Sequence, residues 1–118
     1  MATTSKGRKG KGPAAKLDRL IDEALVDAYG EEEQRTAFYT MLEDHLAMPF
    51  KTKVLGAEVT VQRVDLTDDA QIVAVCTRGR VRQAIPILEL PLPDPPPVGA
   101  DWIQAYRRWV RGAIGEND

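Results

Sequence analysis

Several absences narrow what this chain can do. A single cysteine, Cys76, excludes an intrachain disulfide and any multi-cysteine zinc site. It falls in a predicted strand, where a thiol behaves as a small buried hydrophobe. With His45 the only histidine and Ser5 the only serine, the chain has little from which to assemble a nucleophile and its base, so no enzyme is expected and no catalytic residue is assigned. No apolar run approaches the roughly 18 residues of a membrane span, and none follows the basic start as a secretory signal requires. The expected home is the cytoplasm, without membrane insertion. Nor is there a phosphate loop, because the glycines from Gly7 to Gly12 are flanked by no strand.

What remains is the composition of one soluble globular domain. Of the 118 residues, 43% are hydrophobic and 29% charged, enough for a modest single core. The net charge of −2 conceals a segregation. Residues 1–16 carry Lys6, Arg8, Lys9, Lys11 and Lys16 and no acid. Residues 17–50 carry nine acids against Arg19 and Arg35, and the remainder is balanced. A one-signed acidic field attracts cations and repels nucleic acid, so nucleic acid is not an expected partner except through the basic arm.

The chain divides into a basic arm (1–15) without core-forming residues, one α+β domain (16–113) and a short tail (114–118). Leu17, Leu20, Ile21, Ala24, Leu25 and Ala28 form a helical stripe that Gly30 ends. Glu31-Glu32-Glu33 opens a second helix, which Met48-Pro49 closes. The apolar period then changes to two, predicting strands at Lys51–Leu55, Val59–Leu66, Gln71–Thr77 and Val81–Leu88. Their short connections predict antiparallel neighbours in a small, curved, SH3-like barrel of four to five strands. A stiff connector with Pro91, Pro93, Pro95, Pro96 and Pro97 leads to a C-terminal helix. Trp102, Ile103, Tyr106, Trp109 and Val110 form its packing face.

The second helix organises the rest. Phe38, Met41, Leu42, His45 and Leu46 gather on one side, Glu33, Thr40 and Asp44 on one flank, and Glu32, Thr36 and Glu43 on the other. The strings Tyr29-Gly30-Glu31-Glu32-Glu33-Gln34, Ala37-Phe38, Leu42-Glu43-Asp44 and Pro49-Phe50, with Trp102-Ile103 and Ala105-Tyr106-Arg107 through Trp109, resemble the small bacterial calcium-binding proteins first described from cyanobacteria. The likeness runs from about Leu17 to Val110. It implies an α+β unit that binds Ca2+ through an acidic surface without an EF-hand.

The residues themselves offer three sets of the hard oxygen donors that calcium needs in sixes to eights. These are Glu31, Glu32 and Glu33 at a helix start, Glu43 and Asp44 near its end, and Asp65, Asp68 and Asp69 around a β turn. An EF-hand counted from Asp65 fails, since Ala70 and Cys76 stand where its glycine and bidentate glutamate belong. Glu33 and Asp44 lie about 16 Å apart along the helix axis, too far to share an ion. The helix therefore carries two loci, or one shared with the β module. Each set also has a plainer reading: Glu31–Glu33 as helix-start electrostatics, Asp68 and Asp69 as turn formers. Glu43 and Asp44 fit that reading less well, because acids late in a helix oppose its dipole. The expected function is a calcium buffer or sensor with Asp44 and Glu43 foremost as ligands, Asp65 next and Glu31–Glu33 as a second locus. The alternative is a nucleic-acid or protein adaptor using the basic arm and Arg78, Arg80 and Arg82, read as alternating onto one strand face.

Overall fold

The computed structural model describes residues 12–113. Helix α1 (Pro13–Ala24), helix α2 (Glu31–His45), strands β1 (Phe50–Val54), β2 (Ala57–Leu66), β3 (Ile72–Arg78) and β4 (Val81–Pro86), a 3-10 turn (Ile87–Glu89) and helix α3 (Asp101–Ala113) follow in order. The α+β class, the two leading helices and the closing helix are as expected. Most of the basic arm and the tail lie outside the described residues, but α1 begins at Pro13, inside the stretch assigned to the arm. Proline suits a first helical turn, where its missing N–H has no partner to lose.

Helix α1 also stops short of the predicted stripe. Leu25 to Asp27 form a turn, Val26 is exposed, and Ala28 stays buried without being helical. Gly30, at φ 89°, precedes α2 as its N-cap rather than closing α1. The left-handed φ that suits a glycine is used to reverse the chain between the two helices.

The strands form an antiparallel meander in the order β1-β2-β3-β4. The sheet is open, where the sequence predicted a curved barrel. Between β1 and β2 the turn residues Leu55 (φ 51°) and Gly56 (φ 81°) both adopt positive φ, as the mirror-image type I′ turn requires. A bulge shifts the β2–β3 register between Val61 and Arg63. Without it the alternation that turns Val59 and Val61 inward would send Val64 out and Arg63 in; the extra residue keeps Val64 buried and Asp65 exposed.

Helix α2 packs on one face of this sheet, α3 joins it in the same core, and α1 lies against both helices. Phe38, Leu42 and Leu46 of α2 and Trp102, Ile103 and Tyr106 of α3 meet Val59, Val61, Val64, Ile72, Ala74, Cys76 and Ile85 in a single core. The ring centroids of Phe38 lie 5.3 Å from Tyr106 and 5.4 Å from Trp109, and His45 stacks on Trp102 at 5.5 Å, so α2 and α3 run antiparallel. Trp102 is buried and Trp109 half-buried at the margin. Thr52, the one buried polar side chain among the described residues, donates its hydroxyl to Pro91 O at 2.7 Å, which lays the proline-rich connector along β1.

Candidate functional site

The helical periodicity of α2 and the register of β2 determine which carboxylates meet. Glu43 follows Tyr39 by one helical turn, and the Tyr39 hydroxyl donates to Glu43 Oε2 at 3.0 Å. The Tyr39 hydroxyl is pushed above its ordinary value, first by partial burial, then by the hydrogen bond and charge of Glu43, then by the charge of Asp65, with Arg63 opposing. Asp65 of β2 therefore lies within electrostatic reach of the same hydroxyl. One Asp65 oxygen accepts the Leu66 N–H at 2.9 Å, and the other stands 3.9 Å from the Arg63 guanidinium. The seam between α2 and β2 thus puts Glu43 in contact with the phenol and Asp65 within range of its charge.

Asp44 does not join them. Neighbouring residues of a helix point about 100° apart, so Asp44 faces away from the seam. It is exposed and makes no hydrogen bond or ion pair among the described residues.

At the other end of α2 a shallow depression of about 280 Å³ is lined by Glu31, Glu32 and Arg35 and by Asp69 and Ala70 of the β2–β3 turn. The helix start and the β turn, separate in sequence, face each other across it. Arg35 supplies the cation already present there: its guanidinium pairs with Glu31 at 2.7 Å, one turn away. Its Nε is buried without an acceptor. Glu33 accepts the Tyr29 N–H at 2.6 Å, which ties its carboxylate to the chain just before the N-cap Gly30. Asp69 accepts the Thr67 hydroxyl, and Thr67 Oγ1 in turn accepts the Gln71 N–H at 3.0 Å, so Asp69 also shapes the turn. Glu32 is exposed; its carbonyl accepts the Thr36 hydroxyl at 3.0 Å, and its carboxylate has no partner among the described residues.

The donors are of the kind calcium prefers, hard carboxylate, hydroxyl and carbonyl oxygens. They come in pairs: among the described residues no three His, Cys, Asp or Glu side chains converge as they would to hold a metal ion. The remaining positions of a calcium shell at either end of α2 fall to backbone carbonyls, hydroxyls and water. Sequence reasoning missed Tyr39 and Arg35, although the spacings Tyr39 to Glu43 and Glu31 to Arg35, each four residues on a helix, could have marked both.

The structure also places the residues on which other readings would rest. Cys76 is fully buried, and burial pushes its thiol up, away from the thiolate a nucleophile needs. His45 is exposed and engaged in the stack on Trp102. The expectation that Arg78, Arg80 and Arg82 share a strand face is corrected by the register. Arg82 pairs with Thr77 and Arg78 with Val81; since Thr77 and Arg78 are successive residues of β3, the two arginines point to opposite faces, and Arg80 lies in the turn. No helix among the described residues is long and apolar enough to cross a membrane.

A protein-family model described as calcium binding, of the CcbP type, matches residues 18–110. No curated protein and no solved structure matches the chain.

Proposed function

We propose that this chain, which belongs to that calcium-binding family, holds Ca2+ where α2 faces β2 and serves as a calcium buffer or sensor rather than as an enzyme. The observation that carries the placement is the Tyr39 hydroxyl, which bonds to Glu43 at 3.0 Å where α2 packs on β2, the strand that carries Asp65. Two carboxylates brought from different elements to one seam repel each other until a divalent ion lies between them. Glu43 and Asp65 are the ligands proposed first, with the Tyr39 hydroxyl beside them. Asp44 adds field from the neighbouring flank, because it is free and late in the helix, where the dipole opposes it. Glu31 and Glu32 with Asp69 make the second locus, which Arg35 holds neutralised. Glu33 belongs to the capping of the helix start.

A pair of carboxylates drawn from separate elements must be ordered as it fills, so the affinity expected is micromolar or weaker. Magnesium, smaller and reluctant to shed water, competes poorly for so open a set of oxygens. Calorimetric titration and melting curves of wild type, Glu43→Gln, Asp65→Asn, Asp44→Asn and Glu32→Gln, with magnesium as control, test this. Wild type should gain about 2.7 kcal/mol of stability at a hundred times its dissociation constant. Glu43→Gln and Asp65→Asn should lose most of that gain, Asp44→Asn part of it and Glu32→Gln little. No calcium-dependent shift in wild type at millimolar ion would refute the reading. A loss confined to Glu32→Gln would move the site to the start of α2.

A further inference from the structure

Strand β4 forms one margin of the sheet: β3 pairs with it on one side and no strand on the other. The opposite margin, β1, is overlaid by the connector through Thr52 and Pro91. Among the described residues nothing comparable shields β4. Val81, Arg82, Gln83 and Ala84 are all exposed, and Val81 is 62% exposed although its register places it on the core side of the sheet, in line with Arg78.

The turn into β4 fixes which backbone groups are free. Gly79 has φ 59° and Arg80 a negative φ, the pattern of a two-residue type II′ hairpin closed by Arg78 and Val81. In such a hairpin the closing pair exchanges both ladder hydrogen bonds and alternate pairs do not. Val81, Gln83 and Ile85 therefore turn their amides toward β3, while Arg82 and Ala84 turn theirs outward. Pro86, which has no N–H, ends the outward row.

Charge then selects the occupant. From Ala70 to Leu88 the chain has no acid, and Arg78, Arg80 and Arg82 make no ion pair or side-chain hydrogen bond among the described residues. Arg82 stands on the outer face in one cross-strand row with Thr77, Thr60 and Lys51. A second copy pairing β4 against β4 would set arginines against one another, which like charges across a ladder disfavour. Single-stranded nucleic acid would want stacking aromatics, and strands β2, β3 and β4 have none.

We propose that the free edge of β4 binds an extended segment of a partner protein in which acidic and apolar residues alternate, adding a fifth strand to the sheet. Acidic side chains of the added strand lie on the outer face beside Arg82, apolar ones on the opposite face beside Val81, and its backbone meets the outward groups of Arg82 and Ala84. The proposal is independent of where calcium binds.

The test uses the full chain and a fluorescent peptide, acetyl-(Val-Glu)3-amide, with its lysine counterpart as control, read by anisotropy at low ionic strength. The acidic peptide should bind and the lysine peptide should not. Arg82→Glu should weaken binding by about tenfold or more, equivalent to roughly 1.4 kcal/mol. Ala84→Pro, which removes an outward amide but no bond to β3, should weaken it similarly while the melting temperature holds. Absence of binding at millimolar acidic peptide, equal binding of the lysine peptide, tighter binding of oligothymidylate, or blocking of the edge by self-association in sedimentation would each overturn the proposal.

Discussion

Tyr39 and Glu43 stand one helical turn apart on α2, with the phenol donating to the carboxylate at 3.0 Å and Asp65 of β2 adding its charge. Each anion disfavours the phenolate, and a divalent cation between them reverses that effect. Calcium should therefore lower the pH at which Tyr39 ionises; burial comes first in raising both phenols, but Tyr106 feels Arg35 and Glu31 instead of Glu43 and Asp65 and should move little. The folded state holds both phenols above the ordinary 10.0, so their contribution to stability is complete below that pH and lost as pH rises through the folded values. Tyrosinate absorbance titrated with and without calcium, in wild type and Tyr39→Phe, checks this. A calcium-dependent shift that survives Tyr39→Phe would place the ion elsewhere.

Arg35 occupies the seam at the start of α2 with its side chain 19% exposed, paired to Glu31 and with a buried Nε that finds no acceptor. Arg35→Met keeps the stem that packs there and removes the charge. Stability should change by no more than about 1 kcal/mol, because Glu31 is well exposed and regains water. Calcium stoichiometry should rise, since Glu31, Glu32 and Asp69 lose their resident cation. An unchanged calorimetric stoichiometry would show that the depression holds no ion even when vacated.

Leu55 is fully exposed and held at φ 51°, so it has left-handed strain and no packing to offset it. Leu55→Asn, suited to a type I′ turn, should raise stability by about 1 kcal/mol in denaturant unfolding. A destabilised variant would mean that the leucine contributes packing outside this turn.

Gly99 packs against the last turn of α2. A Cβ there would press into the carbonyl oxygen of His45 and lie 2.8 Å from Leu46 Cα, and the residue also sits at φ 89°. Gly99→Ala should cost about 3 kcal/mol, overpacking and left-handed strain together, and backbone on both sides cannot yield cheaply. Gly56→Ala, which meets open space, should cost only the strain, about 1 kcal/mol. Similar losses for the two by thermal melting would show that the α2–α3 joint adapts.

The element types were legible because hydrophobic periodicity records burial. The stripe from Leu17 marked α1, whereas the period of two read over Val59–Leu66 predicts one unbroken strand and does not foresee the bulge between Val61 and Arg63. The ends were less so: Leu25 and Ala28 face inward from a turn as they would from a helix, so periodicity carried the expected α1 past its true end. Closure of the sheet was not legible, because short connections between antiparallel strands serve an open meander as well as a barrel. Among the candidate ligands, Glu43 and Asp44 look like a pair only in one dimension. The helix turns them apart and sets Glu43 on the Tyr39 side, toward the strand that carries Asp65, a relation that becomes identifiable only once α2 lies beside β2.

The seat of Gly99 against His45 also orders events in time. Each strand pairs with its neighbour in sequence, so the sheet can zip up through local contacts, whereas the α2–α3 joint closes a loop that contains the whole sheet. Loop-closure entropy delays such a contact until the meander exists to hold its ends together. The joint then belongs to the downhill side of the folding barrier, so loosening it speeds unfolding and leaves the folding rate nearly untouched. The lifetime of the folded state is thereby governed by a latch between two helices, and the rate of reaching that state by the hairpins beneath them.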